Sequence, residues 1–214
     1  MSLQERLLII KHCRENFHHT GTVTPSSRFL ARAMTAPLAS VNGDPAPVNV
    51  LEVGIGTGTL TRAIAIRLRP QDRLVAYEIN DEFVAWIREQ MSIDPALIAA
   101  RDRIEIVHAP IQNIARVPAF DFIISSLPFS NFPPELVRDI LDVFRAIVKP
   151  GGTVSLYEYV GSHTVRLWFA KADERRRLRG VIDVIREFRG KHIVTTDFVL
   201  FNVPPAYARH LRFE

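Results

Sequence analysis

The sequence predicts an α/β protein, with a doubly wound, mostly parallel sheet, a C-terminal antiparallel hairpin and an N-terminal helical extension. From residue 48 onward, five short apolar runs alternate with helix-like stretches, which is the order of a parallel sheet with helices on both faces. The runs are apolar on both faces, as buried parallel strands are. Residues 193–213 contain two strand-like halves with no helix between them, which favours a hairpin at the sheet edge.

The individual elements follow from hydrophobic periodicity and from their end signals. Asn80 is a good helix N-cap, Pro133 and Pro134 open the next helix, and the Pro150–Gly152 run ends it. The predicted strands cover 48–54, 74–79, 104–109, 120–128 and 152–160. The predicted helices between them cover 58–69, 81–91, 134–147 and 163–189.

Two helical patterns precede the sheet. The first, about 3–19, carries an apolar stripe with basic residues largely outside it, and the second begins at the Pro25–Ser27 segment. We therefore predict two parts, an N-terminal helical extension over 1–39 and a main α/β domain over 40–214. The extension is expected to act as a lid over the site, as a membrane anchor, or as both.

Composition limits the possible classes. A chain of 214 residues supports one good core rather than two full domains. Its single cysteine, Cys13, excludes an internal disulfide framework and favours a reducing cytosol. The apolar run 7–10 is followed at once by basic residues, so it is too short for a membrane span of roughly 20 residues. The histidines lack a matching carboxylate cluster, and no metal site is predicted.

The positive charge is concentrated in one segment. The chain carries a net charge of +4, and residues 161–192 hold nine Lys or Arg against four Asp or Glu, which leaves the remainder near minus one. Such a cluster suits an anionic partner, either nucleic acid phosphate or an acidic lipid surface. A solvated helix face that keeps the protein soluble explains it equally well.

The stretch "LEVGIGTGTL" at 51–60 is a candidate ligand loop. Gly54, Gly56 and Gly58 follow the first predicted strand, where the backbone must turn tightly and approach a ligand closely. The following helix offers free N–H groups to that ligand. Position 59 is a threonine, so the dinucleotide pattern G-x-G-x-x-G is not met, and no lysine follows the glycines as in a nucleoside triphosphatase.

Two acidic residues narrow the choice of ligand. Glu52 precedes the first glycine by two residues, where its charge would repel a phosphate and attract an amino-acid ammonium group. Glu78 ends the next strand, twenty residues after Gly58, and suits the two hydroxyls of a ribose. A ligand with ribose hydroxyls, a cation and no phosphate is S-adenosylmethionine, with S-adenosylhomocysteine as the product.

With these residues the chain resembles the class I S-adenosylmethionine-dependent methyltransferases, which have a Rossmann-like fold, over about residues 48–160. The resemblance adds Ile79, and Ser126 and Leu127 after the fourth strand, as cofactor contacts. It departs at the third strand end, where many members have an aspartate for the adenine amino group and this chain has Ala109. Adenine is then expected on the backbone of Ala109 and Pro110, or on Gln112.

The loop after the fourth strand, "SSLPFSNFPP" at 125–134, normally lines the acceptor site. Ser126–Phe129 is a relative of the Asn-Pro-Pro-Tyr loop of methyltransferases that act on bases, in which an amide accepts from the exocyclic amine and the ring stacks on the base. Serine replaces that amide here. The loop therefore permits adenine N6 methylation but lacks the amide that would accept from the exocyclic amine.

A wider pattern is similar to the bacterial phospholipid N-methyltransferases of the soluble, membrane-associating type. It rests on "TPSSRFLARAM" (24–34), "LEVGIGTGTLTRAI" (51–64), "SLPFSNFP" (126–133) and "FNVPPAYARHLRF" (201–213). The resemblance implies stepwise methylation of phosphatidylethanolamine towards phosphatidylcholine. Similar sequences methylate ornithine lipids, and ribosomal RNA adenine dimethylases are the nearest class of different function. A non-catalytic binding module on the same scaffold is disfavoured by the intact glycine loop.

The lipid interpretation implies partners and a location. An anionic membrane surface and an aminophospholipid are the expected partners rather than nucleic acid, with the protein held peripherally at the inner face of the cytoplasmic membrane. Arg166 is expected at the lipid phosphate. The other expected substrate or membrane contacts are aromatic and basic side chains, namely Lys11, Arg14, Phe129, Trp168, Arg175, Arg176 and Arg177. Ordinary core packing is the alternative for Trp168.

The acceptor amine must lose a proton before attack, so a base or a water path is required. Glu158, at the end of the fifth strand, is the first candidate, and its neighbours Tyr157 and Tyr159 are candidates to stabilise the methylated cation. Asn131 is a further candidate for headgroup contact. Strand alternation gives a second possibility, in which the two tyrosines pack on one sheet face and Glu158 points to the other.

Overall fold

The computed structural model describes residues 27–41, 43–161, 171–190 and 192–214. Their strands form one mixed sheet of seven strands in the order β3-β2-β1-β4-β5-β7-β6. Strands β1 to β5 pair in parallel, and β7 pairs antiparallel with both of its neighbours, β5 and β6. The strands are β1 Asn49–Val53, β2 Arg73–Glu78, β3 Ile104–His108, β4 Phe120–Ser125, β5 Val148–Tyr159, β6 Ile193–Val199 and β7 Ala206–Arg212. The predicted fold class is confirmed.

Helices cover both faces of the sheet and begin where the sequence provides caps. The Asn80 side chain accepts from the backbone N–H of Phe83, and the Asp94 side chain caps a short helix in the same way. The α-helices are α1 Arg28–Met34, α2 Thr59–Ala65, α3 Asp81–Gln90, α4 Pro95–Ala100, α5 Pro134–Ile147 and α6 Ala172–Arg189. The short helix α4 was not predicted, because its six residues are fewer than two helical turns.

Two hydrophobic clusters sandwich the central strand. On β1, Leu51 and Val53 point into the cluster that contains α5 and α6, and Val50 points into the cluster that contains α1, α2 and α3. This double burial follows from the alternation of side chains along a strand whose residues are apolar at consecutive positions. It fixes β1 at the centre and brings the glycine loop to the middle of the sheet's carboxyl edge.

Predicted boundaries needed correction where turn residues lie within an element. The fourth strand ends at Ser125 rather than at 128, because the chain leaves the sheet before Pro128. The fifth strand starts at Val148 rather than at 152, and its pairing with β4 shifts register between Phe120 and Phe122. The first part of the helix predicted over 163–189, residues 163–170, lies outside the described residues, and α6 starts at Ala172.

The described part of the N-terminal extension packs on the sheet. Leu30 and Met34 of α1 are buried in the same cluster as Ala206 and Ala208 of β7. The linker to β1 is held by Arg69, whose guanidinium donates to backbone carbonyls of Val41 and Ala46. The division at residue 39 stays a prediction, and the helical pattern at 3–19, with Lys11 and Arg14, lies outside the described residues.

Candidate active site

The glycine loop between β1 and α2 requires residues without side chains. Gly54, Gly56 and Gly58 have φ values of +87°, +55° and +84°, in the left-handed region that residues with a Cβ rarely adopt. A Cβ on Gly58 would lie 2.6 Å from Cδ1 of Ile87. The loop is therefore packed against α3.

The same loop is joined to the segment after β4. A Cβ on Gly54 would lie 3.1 Å from both Cδ2 of Leu127 and Oγ of Ser126, so the absence of that atom lets the two segments meet. The Ser126 hydroxyl donates to the Gly54 carbonyl. Ser126 and Leu127, both expected at the cofactor, thus stand directly against the glycine loop.

Glu78 closes the loop from the neighbouring strand. Its buried carboxylate accepts from Gly56 N–H at 3.0 Å, Ile79 N–H at 2.8 Å and Asn80 N–H at 2.9 Å. A carboxylate offers about four acceptor positions. Two ribose hydroxyls, which the sequence assigns to this residue, would therefore compete with at least one backbone N–H of the loop.

A cleft opens beside these groups at the carboxyl ends of β1, β2 and β3. It brings together six of the predicted cofactor residues, and Gln112, the alternative partner for adenine, lines it too. Sequence reasoning missed its apolar side, which comes from distant elements and has no motif. The lining residues are Val53, Gly54, Tyr77, Glu78, Ile79, Ala109, Pro110, Ile111, Gln112, Leu127, Phe132 and Ile140.

Glu52 lies beneath the loop as a fully buried side chain. Neither carboxylate oxygen has a hydrogen-bond partner among the described residues, and the same is true of the neighbouring Thr61 hydroxyl. Burial raises the pKa of Glu52 to about 8, and the charge of Glu78 adds to the rise, while Thr61 opposes it. Burial therefore favours the protonated acid in the described surroundings, and the contact of Glu52 with an ammonium group of the ligand stays a prediction.

Trp86 is a neighbour of the loop that the sequence did not indicate. Its indole N–H donates to the carbonyl of Thr57 at 3.3 Å, and its ring is 46% exposed. The residue lies in the middle of α3, outside the sequence motifs, so only the packing of α3 against the loop reveals it. It provides a fluorescent reporter within hydrogen-bond distance of the glycine loop.

The acceptor loop after β4 is built differently from the sequence expectation. Phe129 is only 7% exposed and packs edge to face on Phe132, with ring centroids 6.4 Å apart. A ring buried in the core cannot stack on a substrate base, so the predicted substrate contact of Phe129 is corrected. The backbone of Asn131 donates to the Pro128 carbonyl at 2.9 Å, which places this candidate headgroup contact in the same short 3-10 turn.

Arg177 of α6 anchors that loop instead of facing a membrane. Its guanidinium donates to the carbonyls of Phe132 at 2.6 Å and Ser130 at 2.8 Å, and it pairs with Glu174 at 2.7 Å. The predicted membrane contact of Arg177 is therefore corrected. Its neighbours Arg175 and Arg176 are exposed as expected, and Arg166 and Trp168 lie outside the described residues.

The end of β5 divides the three candidate catalytic residues between two faces. Tyr157 and Tyr159 pack together edge to face with centroids 5.1 Å apart, against the cluster that contains α1. Glu158 points to the other face, where it accepts from Arg189 at 3.1 Å and Arg209 at 3.2 Å. The structure keeps the tyrosines together but separates them from Glu158, as strand alternation allows.

Comparison with known proteins agrees with this geometry. Residues 50–152 match the family described as a methyltransferase domain. The chain is 30% identical over 139 residues to an ornithine lipid N-methyltransferase of Singulisphaera acidiphila, covering 62% of this chain and 67% of that protein. It is 36% identical over 99 residues to an rRNA methyltransferase of Streptomyces thermotolerans, covering 46% of this chain but 28% of that protein.

The fold is shared with solved methyltransferases. An O-methyltransferase from Bacillus cereus, solved in complex with S-adenosylhomocysteine, superposes with a TM-score of 0.62 at 17% identity and covers 95% of this chain and 90% of its own. At such low identity the likeness concerns the fold alone.

The residues present fit the cofactor that the sequence predicts. Gly54 leaves space where a Cβ would meet the acceptor loop, Glu78 stands at the cleft, and the buried acid Glu52 has unsatisfied oxygens beneath it. This donor set accepts hydroxyl and ammonium groups and offers no cation to a phosphate. The chain belongs to the class I S-adenosylmethionine-dependent methyltransferases, and S-adenosylmethionine is its cofactor.

Proposed function

We propose that this methyltransferase acts on the amine of a membrane aminolipid. The first acceptors to test are phosphatidylethanolamine and its methylated derivatives, on the way to phosphatidylcholine. The observation that carries the proposal is the burial of Phe129 together with the engagement of Ser126 by the Gly54 carbonyl. Neither group is then available to hold a flat base. The acceptor side suits a small aliphatic amine better than adenine.

Ornithine lipid is the alternative acceptor of the same chemical class. The relative from Singulisphaera acidiphila carries that lipid in its name and covers the larger share of this chain. Both lipids present an aliphatic amine next to a polar headgroup at a bilayer surface, so one active site suits both. The acceptor therefore has to be decided by direct competition between the two lipids.

Different residues of this chain bind the cofactor and the product of methyl transfer. When bound, the cofactor supplies an electrophilic methyl group on sulfur. Gly54, Glu78 and Leu127 line the cleft that would hold it, and positioning of the two reactants supplies most of the acceleration of such a displacement. Tyr157 and Tyr159 offer aromatic faces to the ammonium product.

The proton of the amine needs a separate route. Glu158 is bound by two guanidinium groups on the face opposite the tyrosines, so we propose that it braces the sheet and that the proton leaves through water at the carboxyl edge. The burial of Tyr159 raises the pKa of its phenol, which keeps it protonated and able to donate. Asn131 remains a proposed headgroup contact.

Anionic lipid and the inner face of the cytoplasmic membrane are proposed as the partner and location. Arg175 and Arg176 are exposed on α6 and suit attraction to a negative surface. Among the described residues, no helix combines the length and apolarity needed to cross a bilayer.

Ribosomal RNA is the second candidate acceptor, and the partial match to the enzyme of Streptomyces thermotolerans favours it. The test is transfer of labelled methyl from S-adenosylmethionine to three acceptors in parallel. These are vesicles of phosphatidylethanolamine with phosphatidylglycerol, vesicles of ornithine lipid with phosphatidylglycerol, and undermethylated ribosomal RNA. Label in a lipid phase, with mono-, di- and trimethylated products resolved, supports the proposal and selects the lipid. Label confined to RNA overturns it.

A further inference from the structure

The turn between β6 and β7, residues 200–205, buries a polar side chain and exposes apolar ones. Asn202 is only 3% exposed, whereas Leu200, Phe201 and Val203 are 58%, 72% and 73% exposed. A turn that faces water normally shows the opposite arrangement, since single exposed apolar residues are common but a cluster of large ones is not. This apolar turn therefore needs a non-aqueous neighbour.

Hydrogen bonds fix this turn to the start of α1. The Asn202 side-chain oxygen accepts from the Ser27 backbone N–H at 3.0 Å, and its amide nitrogen donates to the Pro204 carbonyl at 2.7 Å. Ser27 is also the N-cap of α1. Because both the oxygen and the nitrogen of its amide are hydrogen-bonded, the Asn202 side chain is held inside the protein. The apolar side chains on either side of it are therefore directed outward.

Phe29 of α1 extends the patch. Its ring lies 5.5 Å from the ring of Phe201, centroid to centroid, and it is 42% exposed. The apolar turn and this phenylalanine thus form one surface from two segments that are far apart in the chain. We call Phe29, Leu200, Phe201 and Val203 the hairpin tip.

The hairpin tip lies on the edge of the sheet that carries the active site. Ser125, where the acceptor loop starts, pairs with Leu156 of β5, and the first residue of β7, Ala206, pairs with Tyr159. Three residues of extended strand separate these levels, which is about 10 Å. The tip projects beyond Ala206 in the same direction, so it lies on the same carboxyl edge as the acceptor loop.

Charge around the tip identifies the neighbour. The segment 27–41 contains Arg28 and Arg32, both exposed, and no acidic residue. The Arg28 guanidinium lies 4.9 Å from the centroid of the Phe29 ring. An apolar projection with cations at its rim suits the boundary between acyl chains and anionic headgroups.

We propose that the hairpin tip inserts into the headgroup region of an anionic bilayer and so presents the acceptor loop to the membrane surface. The inference rests on the proposed function, because a lipid acceptor is what requires the carboxyl edge to face a bilayer. It assigns the membrane contact to the β6–β7 turn and α1, in addition to the basic face of α6.

The test uses the full chain and vesicles of phosphatidylethanolamine with phosphatidylglycerol. The double variant Phe201→Ser with Val203→Ser is compared with the matched control Ile98→Ser with Val117→Ser. The control residues are 49% and 57% exposed. They precede β3 and β4, so they lie toward the amino ends of the parallel strands, away from the carboxyl edge. We expect the tip variant to lose about tenfold or more in vesicle partitioning and the control to change less than about twofold, because only the tip loses buried apolar area on binding.

A second measurement locates the tip directly. Phe201→Trp fluorescence, corrected for the native tryptophans with wild-type protein, is expected to be quenched by brominated acyl chains in vesicles and by acrylamide in their absence. Val117→Trp should show only the acrylamide effect. Protection of Trp at position 201 from acrylamide without vesicles would mean that protein covers the tip, either residues 1–26 or a second copy, and would overturn the inference.

The outcomes separate this inference from the proposed function. Equal vesicle binding by wild type and tip variant overturns the insertion, and so does a wild type that methylates lipid in detergent micelles without binding vesicles. If vesicle binding depends on the tip but no lipid is methylated, whether in vesicles or in micelles, the insertion is supported and the proposed function is refuted. Calorimetric affinity for S-adenosylmethionine should be the same in all variants.

Discussion

The two ends of the sheet's carboxyl edge differ in which side chains they bury and which they expose. At β1 and β2, acidic side chains lie inside: Glu52 and Glu78 are both buried, and backbone N–H groups turn toward the second of them. At β5 and β7, apolar groups lie outside, since the hairpin tip is exposed while Asn202 is buried. The first end is shaped to hold a polar small molecule, and the second is shaped to meet a surface.

The two ends also differ in the range of the contacts that form them. The Gly56–Glu78 hydrogen bond joins residues 22 positions apart, within one strand-helix-strand unit. The Ser27–Asn202 hydrogen bond joins residues 175 positions apart, and the Arg177–Ser130 bond joins residues 47 apart. The cofactor end is therefore a local construction, whereas the acceptor end depends on the completed fold.

The largest expected effect breaks the cofactor end. Gly54→Val is expected to abolish measurable binding of S-adenosylmethionine, a loss of about 1,000-fold or about 4 kcal/mol. The backbone of the valine would have to adopt a positive φ, which is strained for a residue with a Cβ. Its Cβ would also lie 3.1 Å from side-chain atoms of Leu127 and Ser126. Isothermal calorimetry with wild type and variant measures the loss.

Gly43 provides the matched control for that substitution. Its φ is +89° and a Cβ there would meet nothing within 4 Å. Gly43→Val therefore shares the backbone strain without the steric contact, and it should lower thermal stability while leaving the cofactor affinity unchanged. Equal losses of affinity in the two variants would show that general destabilisation, and not the close approach at Gly54, explains the result.

The second prediction concerns the buried acid at the same end. The pKa of Glu52 is raised to about 8, so between about pH 4.5 and 8 the folded state holds a proton that the unfolded state has lost. The stability contribution of this proton is present at low pH and is lost as pH rises through that window. In Glu52→Gln this loss is absent, so the pH-dependent change in the free energy of unfolding should differ between the two proteins by about 4 kcal/mol near pH 8.

Thermal melts from pH 5 to 8 in the absence of cofactor check this prediction. The wild-type melting temperature should fall relative to the variant by roughly 5 to 10 °C across the range. Thr61→Val serves as a control, because it removes the neighbouring hydroxyl and leaves the acid in place. Parallel pH curves for wild type and Glu52→Gln would mean that the carboxyl is ionised and hydrated, contrary to its burial.

How far the sequence predicts each end follows from this difference in range. The fold class and the glycine loop could be predicted, because alternating apolar runs and the positive φ of glycine are local properties. Glu78 was found for the same reason, since it ends the strand after the loop. The raised pKa of Glu52 could not be predicted, because it depends on the complete enclosure of the side chain.

At the acceptor end the same reasoning misassigned residues. Phe129 and Arg177 were expected at the substrate or membrane, because an aromatic loop residue and a basic run usually face outward. Their burial and bonding come from α5 and α6 packing on the loop, which no local pattern encodes. The hairpin tip was missed as a surface, because "FNVPP" looks like a turn whichever way its side chains point.

The third prediction weakens the acceptor end alone. Arg177→Ala removes the bonds to the Phe132 and Ser130 carbonyls, and we expect kcat/KM for lipid to fall about tenfold, or about 1.4 kcal/mol. Arg177→Lys should restore little, because an ammonium cannot span both carbonyls as the planar guanidinium does. Methyl transfer to phosphatidylethanolamine vesicles measures the effect, with calorimetric cofactor affinity as the second readout.

Arg176 supplies the control, since its side chain is 84% exposed and lies 3.9 Å from Asp173. Arg176→Ala, one position earlier on the same helix, removes an equal charge without touching the loop. Similar losses in both variants would indicate that the charge of α6 matters for membrane attraction, and that the bonds to the loop do not.

The smallest expected effect decides between the two interpretations of Glu158. Its carboxylate lies between Arg189 and Arg209 on the face opposite the tyrosines, so Glu158→Gln should lower the melting temperature by about 5 °C through the loss of two partly buried ion pairs. We expect kcat to change less than about twofold and the acid limb of its pH profile to keep its position. A proton acceptor behaves otherwise, because its loss lowers kcat by about 100-fold or more and removes that limb. Such a result would place Glu158 in the reaction and would show that the two faces of β5 communicate, so that the end built for a surface also carries chemistry.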